Sequence, residues 1–441
     1  MRLFRFFSII LQTEFEMIKR KSMNKRIFGS LLVALITVQM MAQESSTLSP
    51  YSQYGLGTLA DQSLGLGRAM GGLGYGLRSN RQVNVLNPAS YSAVDSLTML
   101  FDVGLSAKIT NFKEGGKSVN ANTGNFDYAV ASFRLRRHIG LALGIIPYSH
   151  IGYDYESVDK ATSTTEGYSG DGGFSQVFLG AGWEIGKGFS IGANLSYFWG
   201  SYDKAVLVTN SDASVNTMAR TYSTSITSYK IDLGAQWQHD LNADNLLTIG
   251  LTASIGHKLN ANASVKTVTT NPQSGVSSAV NPSEVENAFS LPWAFGIGGT
   301  LCHKNSLTVG LDYSLQRWGA LDYPVYDSSG YTMSGNYYKD RHKVIAGANW
   351  IPNPLSRNFI SRINYRLGVS YATPYYKIKK DDGPSELTVG AGFGIPVGRS
   401  MLNITGQWVH SSAKNYVTEN AFRITLGLTF NERWFAKWKV D

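Results

Sequence analysis

From about residue 97 onwards, apolar and small or polar side chains alternate with a period of two in one segment after another. That pattern limits this chain to strands with two unlike faces. Leu307, Val309, Leu311, Tyr313 and Leu315 are interleaved with Thr308, Gly310, Asp312, Ser314 and Gln316. Leu387, Val389, Ala391, Phe393 and Ile395 are interleaved with Thr388, Gly390, Gly392 and Gly394. The stretches 247–256 and 422–430 repeat the theme. Period alone does not separate a soluble sandwich from a membrane barrel, because a sandwich also has one apolar face.

Connection lengths separate them. Fourteen strand candidates lie near 97–110, 125–137, 139–155, 173–186, 189–206, 220–239, 245–259, 288–303, 305–318, 340–351, 362–373, 385–396, 400–411 and 420–434. The odd-numbered connections are long and the even-numbered ones short or medium, as at His138, Gly186-Lys187-Gly188 and Lys304. An up-and-down transmembrane barrel with long outer loops and short periplasmic turns predicts that see-saw. The expected fold is all-β: a 14-stranded antiparallel barrel over 97–435, with a C-terminal tail at 436–441.

Composition agrees. Of 441 residues only 16% are charged, with 46 glycines, 24 tyrosines and 9 tryptophans, which suits a wall with small lumenal residues and aromatic girdles. After the N-terminus no run of 18 uncharged apolar residues occurs, which argues against a helical membrane protein. The tryptophans fall mostly near strand ends or on the apolar face, where interfacial anchoring and ordinary packing are both open.

Residues 1–42 divide into two parts. Met23 opens a second plausible start, followed by Lys25 and Arg26, an apolar stretch from Ile27 to Met41, and Ala42. This reads as a secretory signal peptide cleaved after Ala42, with 1–22 as an upstream extension. The net charge of +9 falls to +4 once residues 1–42 are set aside. There is no basic tract interleaved with aromatics, so nucleic acid is not an expected partner. The lone Cys302 allows no intrachain disulfide.

Catalytic and cofactor signatures are missing. The seven histidines show no metal-ligand spacing, and neither a G-x-S-x-G elbow nor a Walker loop occurs. His410 with Ser411 and Ser412 is the nearest approach to a Ser-His pair, and no third orienting group accompanies it. Neither an enzyme nor a cofactor is expected. Asp102, Lys108, Lys230, Asp232, Asp312, Arg366 and Arg423 fall on the small or polar face, where a lumen would hold them. Their roles divide between plug-to-wall bonding and selectivity.

Residues 49–96 carry Gly65 to Gly76 (GLGRAMGGLGYG), Arg68-Ala69-Met70-Gly71-Gly72 and Asn87-Pro88-Ala89. A secreted chain with these elements followed by 14 strands resembles the FadL/TodX family of outer-membrane transport proteins. The resemblance implies that 43–96 forms a hatch inside the barrel, with Arg68, Gly71, Gly72, Asn87, Pro88 and Ala89 in the hatch or gate. It implies passive uptake of small hydrophobic molecules, fatty-acid-like or aromatic, and a lateral exit at a kink in the third strand. Gly144, Pro147 and Gly152 are the residues here that suit such a kink, since proline cannot donate to the ladder; a bulge without function is the other reading. Long apolar helices that would build an outer capture groove are missing from the loops. The competing role is a barrel that carries or anchors secreted proteins, as in type IX secretion. Expected partners are outer-membrane lipid and lipopolysaccharide, a hydrophobic ligand and the barrel-assembly machinery, the last from the aromatic C-terminal strand. A cylinder without a free edge can stand as a monomer, and a monomer is expected.

Overall fold

The computed structural model describes residues 49–327 and 330–433. The proposed signal peptide and the aromatic tail from Trp434 lie outside the described residues. Fourteen wall strands run in chain order: β1 Thr98–Glu114, β2 Lys117–Arg136, β3 Ile139–Asp159, β4 Thr164–Gly186, β5 Phe189–Asn210, β6 Thr217–Asn242 and β7 Asn245–Ser254, then β8 Ala294–His303, β9 Leu307–Gln316, β10 Arg341–Trp350, β11 Asn364–Ala372, β12 Ser385–Val397, β13 Ser400–Ser412 and β14 Thr418–Arg433. Each pairs antiparallel with its chain neighbours, and β14 closes on β1 from Thr98↔Arg433 to Lys113↔Thr418. The fold is a closed 14-stranded antiparallel barrel.

The two faces are distributed inversely to those of a water-soluble protein. Leu311, Leu251, Leu426, Phe393 and Leu195 point outward and are exposed, while Thr248, Thr388, Thr425, Asn403 and Gln407 face inward and are buried. Such an arrangement is stable only where the outer surface meets acyl chains. Trp183, Trp237, Trp293, Trp350 and Trp408 belong to the exposed apolar face. Trp318 does not: it is fully buried in an aromatic core near one mouth.

One expectation needs correction. The long outer loops at 111–124, 156–172, 207–219 and 260–287 are largely strand. β1 and β2 meet at the two glycines Gly115-Gly116, and β3 and β4 meet across residues 160–163. Ala261–Thr270 and Ser277–Val285 extend β7 and β8 as an outer hairpin beyond a break near 255–260. Beyond the membrane both faces of a strand are hydrated, so the sequence stops alternating although the ladder continues.

The wall is also not sealed along its whole height. β2 pairs with β3 only from Arg136↔Ile139 to Ala129↔Ile145. Above that point β3 stays paired with β4 up to Asp159↔Thr164, with a register shift between Pro147 and Ser149. The result is a seam between the outer halves of β2 and β3. It begins two residues before Pro147, which removes one backbone donor inside the strand.

Residues 49–97 lie inside the cylinder. They form short pieces: a 3-10 turn Pro50–Gln53, a two-residue strand Thr58–Leu59, one helical turn Gly65–Ala69 and a 3-10 turn Pro88–Ala93. Glycines on the inner face of the wall make room for them. A side chain at Gly140, Gly182, Gly192, Gly234 or Gly250 would collide with Tyr91, Pro88, Asn87 or Tyr75, and one at Gly347 or Gly368 with Met70. The small residues of the alternating pattern are therefore the contact surface of the inner segment.

Candidate functional site: inner segment, lumen cavities and seam

Residues Asn87, Pro88 and Ala89 anchor the inner segment low in the barrel. Asn87 caps the 3-10 turn by accepting from Ala89 N at 3.2 Å, and its Nδ2 donates to Tyr75 O at 2.9 Å and to the wall carbonyl of Ala235 at 3.1 Å. One side chain thus closes the turn, ties two parts of the segment together and fixes both to β6. Pro88 presets the first residue of the turn, where no backbone donor is needed.

Gly71 and Gly72 adopt φ of 75° and 98°, a left-handed region that favours glycine. At Gly71 a Cβ would also meet the backbone of Val369 at 2.9 Å. The tight turn carries the chain from the helical turn to the Gly74–Tyr75 amides, which both donate to Asp312 Oδ2, at 2.7 and 2.8 Å.

Arg68 is 1% exposed. It pairs with Asp127 of β2 at 2.5 Å and with Asp61 at 3.7 Å, donates to Asp61 O at 2.9 Å, and lies over the Tyr128 ring. Asp127 occupies a bulge between Phe126 and Tyr128, where β2 shifts register against Gly104 and Leu105. The bulge re-aims that carboxylate into the lumen at the lower end of the seam. Burial alone would raise the pKa of Asp61; the Arg68 and Lys343 charges and two bonds from Ser63 outweigh it and hold the carboxyl at about 2.

Other sequence-selected charges are held structurally. Arg366 bonds Asn349 and Asn403 at 3.1 and 2.6 Å, Asp102 accepts from Thr429, and Asp232 takes Lys230 and Ser254, each at 2.5 Å. Arg423 lines a cavity next to Lys108. The structure therefore gives most of them plug-to-wall or wall-to-wall bonds, and it groups Lys108 and Arg423 around open space.

Pro147 and Gly152 lie on β3 along the seam, whereas Gly144 lies below it, still paired with Val130 of β2. The inner segment bonds along this otherwise unpaired edge: Thr58 and Leu59 pair with His150 and Ser149, Ala60 N donates to Tyr148 O at 2.9 Å, and Gln62 Nε2 donates to Pro147 O at 2.7 Å. The Gly152 carbonyl accepts from Ser49 N at 3.2 Å.

Three cavities follow one another inside. One of about 170 Å³ has an apolar side formed by Tyr75, Val85 and Leu86 of the inner segment with Ile146, Tyr148, Phe178, Leu291 and Phe295, and a polar side that carries Gln176, Asn194 and the Lys230–Asp232 pair. It shares Gln62, Tyr75, Leu86 and Tyr148 with a second cavity of about 170 Å³, lined by Lys108, Arg341, Lys343, Glu386, Glu419 and Arg423. The second shares Asp61, Lys108 and Arg423 with a third, of about 50 Å³, bounded by Asn125 and Asp127 of β2 and Pro147 and His150 of β3. The series thus leads from an apolar pocket to the seam. The outer mouth is closed by an aromatic core that includes Tyr51, Tyr153, Phe174, Phe198, Trp318, Tyr338, Tyr375 and Tyr376. Buried Lys204 ties Gln53 O and Gly55 O to that lid, at 2.9 and 3.3 Å.

Sequence reasoning missed Asp61, Asp127, His150 and Glu419. Asp127 falls at the start of the strand candidate 125–137, and nothing in its neighbourhood marks a bulge. Among the described residues no group of three or more metal-ligating side chains occurs. His410 bonds Asn420 at 2.9 Å and stacks on Trp408.

A closed 14-stranded barrel with an outward apolar face and an internal N-terminal segment is the architecture of outer-membrane channels. Solved structures bear this out at the level of fold. The TodX deltaS2S3 mutant, a monoaromatic hydrocarbon channel, superposes with a TM-score of 0.63 at 14% identity, covering 85% of this chain and all of the other. The toluene transporter TbuX of Ralstonia pickettii gives 0.59 at 15%, covering 86% and 99%. A FadL homologue of Pseudomonas aeruginosa gives 0.56 at 11%, covering 85% and 98%. The sequence of residues 23–441 matches the BamG family, and the chain belongs to that family. No curated protein matches the sequence.

Proposed function

We propose that the protein passes small hydrophobic or amphipathic molecules across the outer membrane without a cofactor, by way of the apolar pocket, the charged cavity and the seam between β2 and β3. The observation that carries this reading is the series of cavities, which share lining residues from Phe178 to Pro147. Residues 49–96 act as the hatch, and Arg68 with Asp127 as its latch at the seam. A single-ring molecule burying on the order of 200 Å² in the apolar pocket gains roughly 5 kcal/mol, which suffices for weak, reversible binding. The charged cavity beyond it favours a ligand with one polar end over a bare hydrocarbon. Exit through the seam needs no opening of the hydrogen-bonded wall.

One observation favours a second role, as a carrier or anchor for other secreted proteins: the aromatic lid closes the outer mouth, where a ligand would enter. Cells lacking the protein distinguish the two. For the transport reading, uptake of a labelled aromatic or acyl compound falls in the deletion strain and in a hatch-deleted variant. Unchanged uptake together with loss of a secreted protein from the cell surface would replace transport by the carrier role.

A further inference from the structure

At the mouth opposite the aromatic lid, one turn differs from its neighbours. Strands β2 and β3, β4 and β5, β6 and β7, and β8 and β9 are joined by 137–138, 187–188, 243–244 and 304–306, which carry Arg137, Lys187, Asp244 and Lys304. Between β10 and β11 the chain takes 351–363 instead, and it exposes Leu355, Phe359 and Ile360, at 93%, 47% and 63%. Large apolar side chains in water are unfavourable, and a group of them on one turn marks a surface that meets something other than water.

The turn is fixed at the foot of the lipid-facing belt. Trp350, Tyr365 and Phe393 lie directly opposite one another across β10, β11 and β12, so they share a face. Their rings pack at 5.8 and 5.7 Å, and Trp350 and Phe393 are half exposed on the outward side. Tyr365 Oη donates to Ile360 O at 3.3 Å. That bond holds the end of the turn against the outer side of the wall, not beneath the lumen. Its apolar residues therefore continue a surface that already meets acyl chains.

Charge sets the kind of lipid. Stretches 352–363 and 397–400 contain no Asp or Glu and carry Arg357, Arg362 and Arg399. Arg357 and Arg399 are exposed. The Arg362 guanidinium lies over the Phe359 ring at 5.9 Å, and its enclosed Nε has no hydrogen-bond partner among the described residues. An apolar group bordered by bases is the composition of an element that lies in a membrane interface. Guanidinium groups take phosphate oxygens two at a time.

We propose that 351–363 is an interfacial anchor that seats Leu355, Phe359 and Ile360 in the leaflet at this mouth and binds the headgroup of an anionic phospholipid through Arg357 and Arg362. The site is separate from the lumen path and independent of what that path carries. Nitroxide quenching on the purified protein in vesicles tests it. With the only cysteine replaced (Cys302→Ser), an NBD label is placed at Leu355→Cys, at Ile360→Cys or, as a control in a short turn of the same mouth, at Lys187→Cys. The vesicles are phosphatidylcholine with a minor share of phosphatidylcholine or phosphatidylglycerol that bears a nitroxide high on one acyl chain. The expected result is strong quenching at 355 and 360 and little at 187, with the phosphatidylglycerol probe favoured by about fivefold for each arginine engaged. Arg357→Gln together with Arg362→Gln is expected to bring the two probes level, while the labels stay quenched and the barrel keeps its heat-modifiable mobility. Labels at 355 and 360 quenched no better than the control overturn the anchor. Equal quenching by the two probes with both arginines in place overturns the headgroup site. Shielding that appears in native outer membranes but not in vesicles would make a periplasmic protein the occupant, and overturns the proposal as well.

Discussion

Replacing Arg68 by alanine is expected to release the inner segment from the seam. The guanidinium is almost wholly buried and bridges two carboxylates, Asp127 at 2.5 Å and Asp61 at 3.7 Å, whose side chains are only 11% and 17% exposed. Removing one partner of a buried ion pair leaves an uncompensated charge, at a cost of about 3–5 kcal/mol. In this protein the deletion leaves two carboxylates facing each other, so the upper part of that range applies. The same change takes away the bond to Asp61 O and the contact with the Tyr128 ring. If the segment is docked by this latch, its undocked population rises by a factor of roughly 10³ or somewhat more. Protease cleavage between Ser49 and Gln62 in the folded barrel, with conductance in planar bilayers, reads that population. Arg68→Met combined with Asp61→Asn and Asp127→Asn removes the charges together and is expected to recover most of the protection. Should the single and triple variants be cleaved equally fast, or Arg68→Ala no faster than wild type, the latch reasoning is wrong.

Three further outcomes are expected. Gly250→Val places a side chain against Tyr75 O, 1.8 Å from the ideal Cβ, and such overpacking costs about 1–3 kcal/mol; protease sensitivity of the inner segment should increase, whereas Gly186→Val, with open space around it, should leave it unchanged. Trp318→Ala empties the centre of the aromatic lid, where Trp318 packs on Tyr338 and Tyr375, at a cost of about 3–5 kcal/mol; exchange at 318–340 and 373–378 should quicken while the wall strands stay protected. Asp61 has a folded pKa of about 2, below the ordinary aspartate value of about 3.9. Its contribution to docking is therefore fully present above that value and lost as pH falls through 2. Loss of protection of the inner segment should set in only in strong acid, and a decline centred near pH 6 would contradict the assignment.

All fourteen strands were legible in the sequence, because an interface with lipid on one side and a crowded lumen on the other enforces alternation residue by residue. Leu311 beside Asp312, and Phe393 between Gly392 and Gly394, display both demands at once. The outer continuations at 111–124 and 260–287 were not legible, since a strand wetted on both faces carries no such signature. Pro147 marked the seam because proline has a local backbone consequence. Its extent, set by where β2 and β3 part, is a matter of pairing that no single segment encodes. The hatch residues around Asn87 and Gly71 stood out through turn chemistry. Asp127 did not, because a bulge depends on register against β1.

The central claim is that the seam between β2 and β3 is the lateral path out of the lumen. Asn125 of β2 and His150 of β3 border the cavity on either side of it. With Asn125→Cys and His150→Cys in the purified barrel, reconstituted in liposomes, a reducible bifunctional thiol crosslinker closes the seam, and flux of a labelled single-ring hydrocarbon is measured before and after. The account predicts that flux falls to the level of protein-free liposomes on crosslinking and returns on reduction. Undiminished flux through the crosslinked barrel would contradict it.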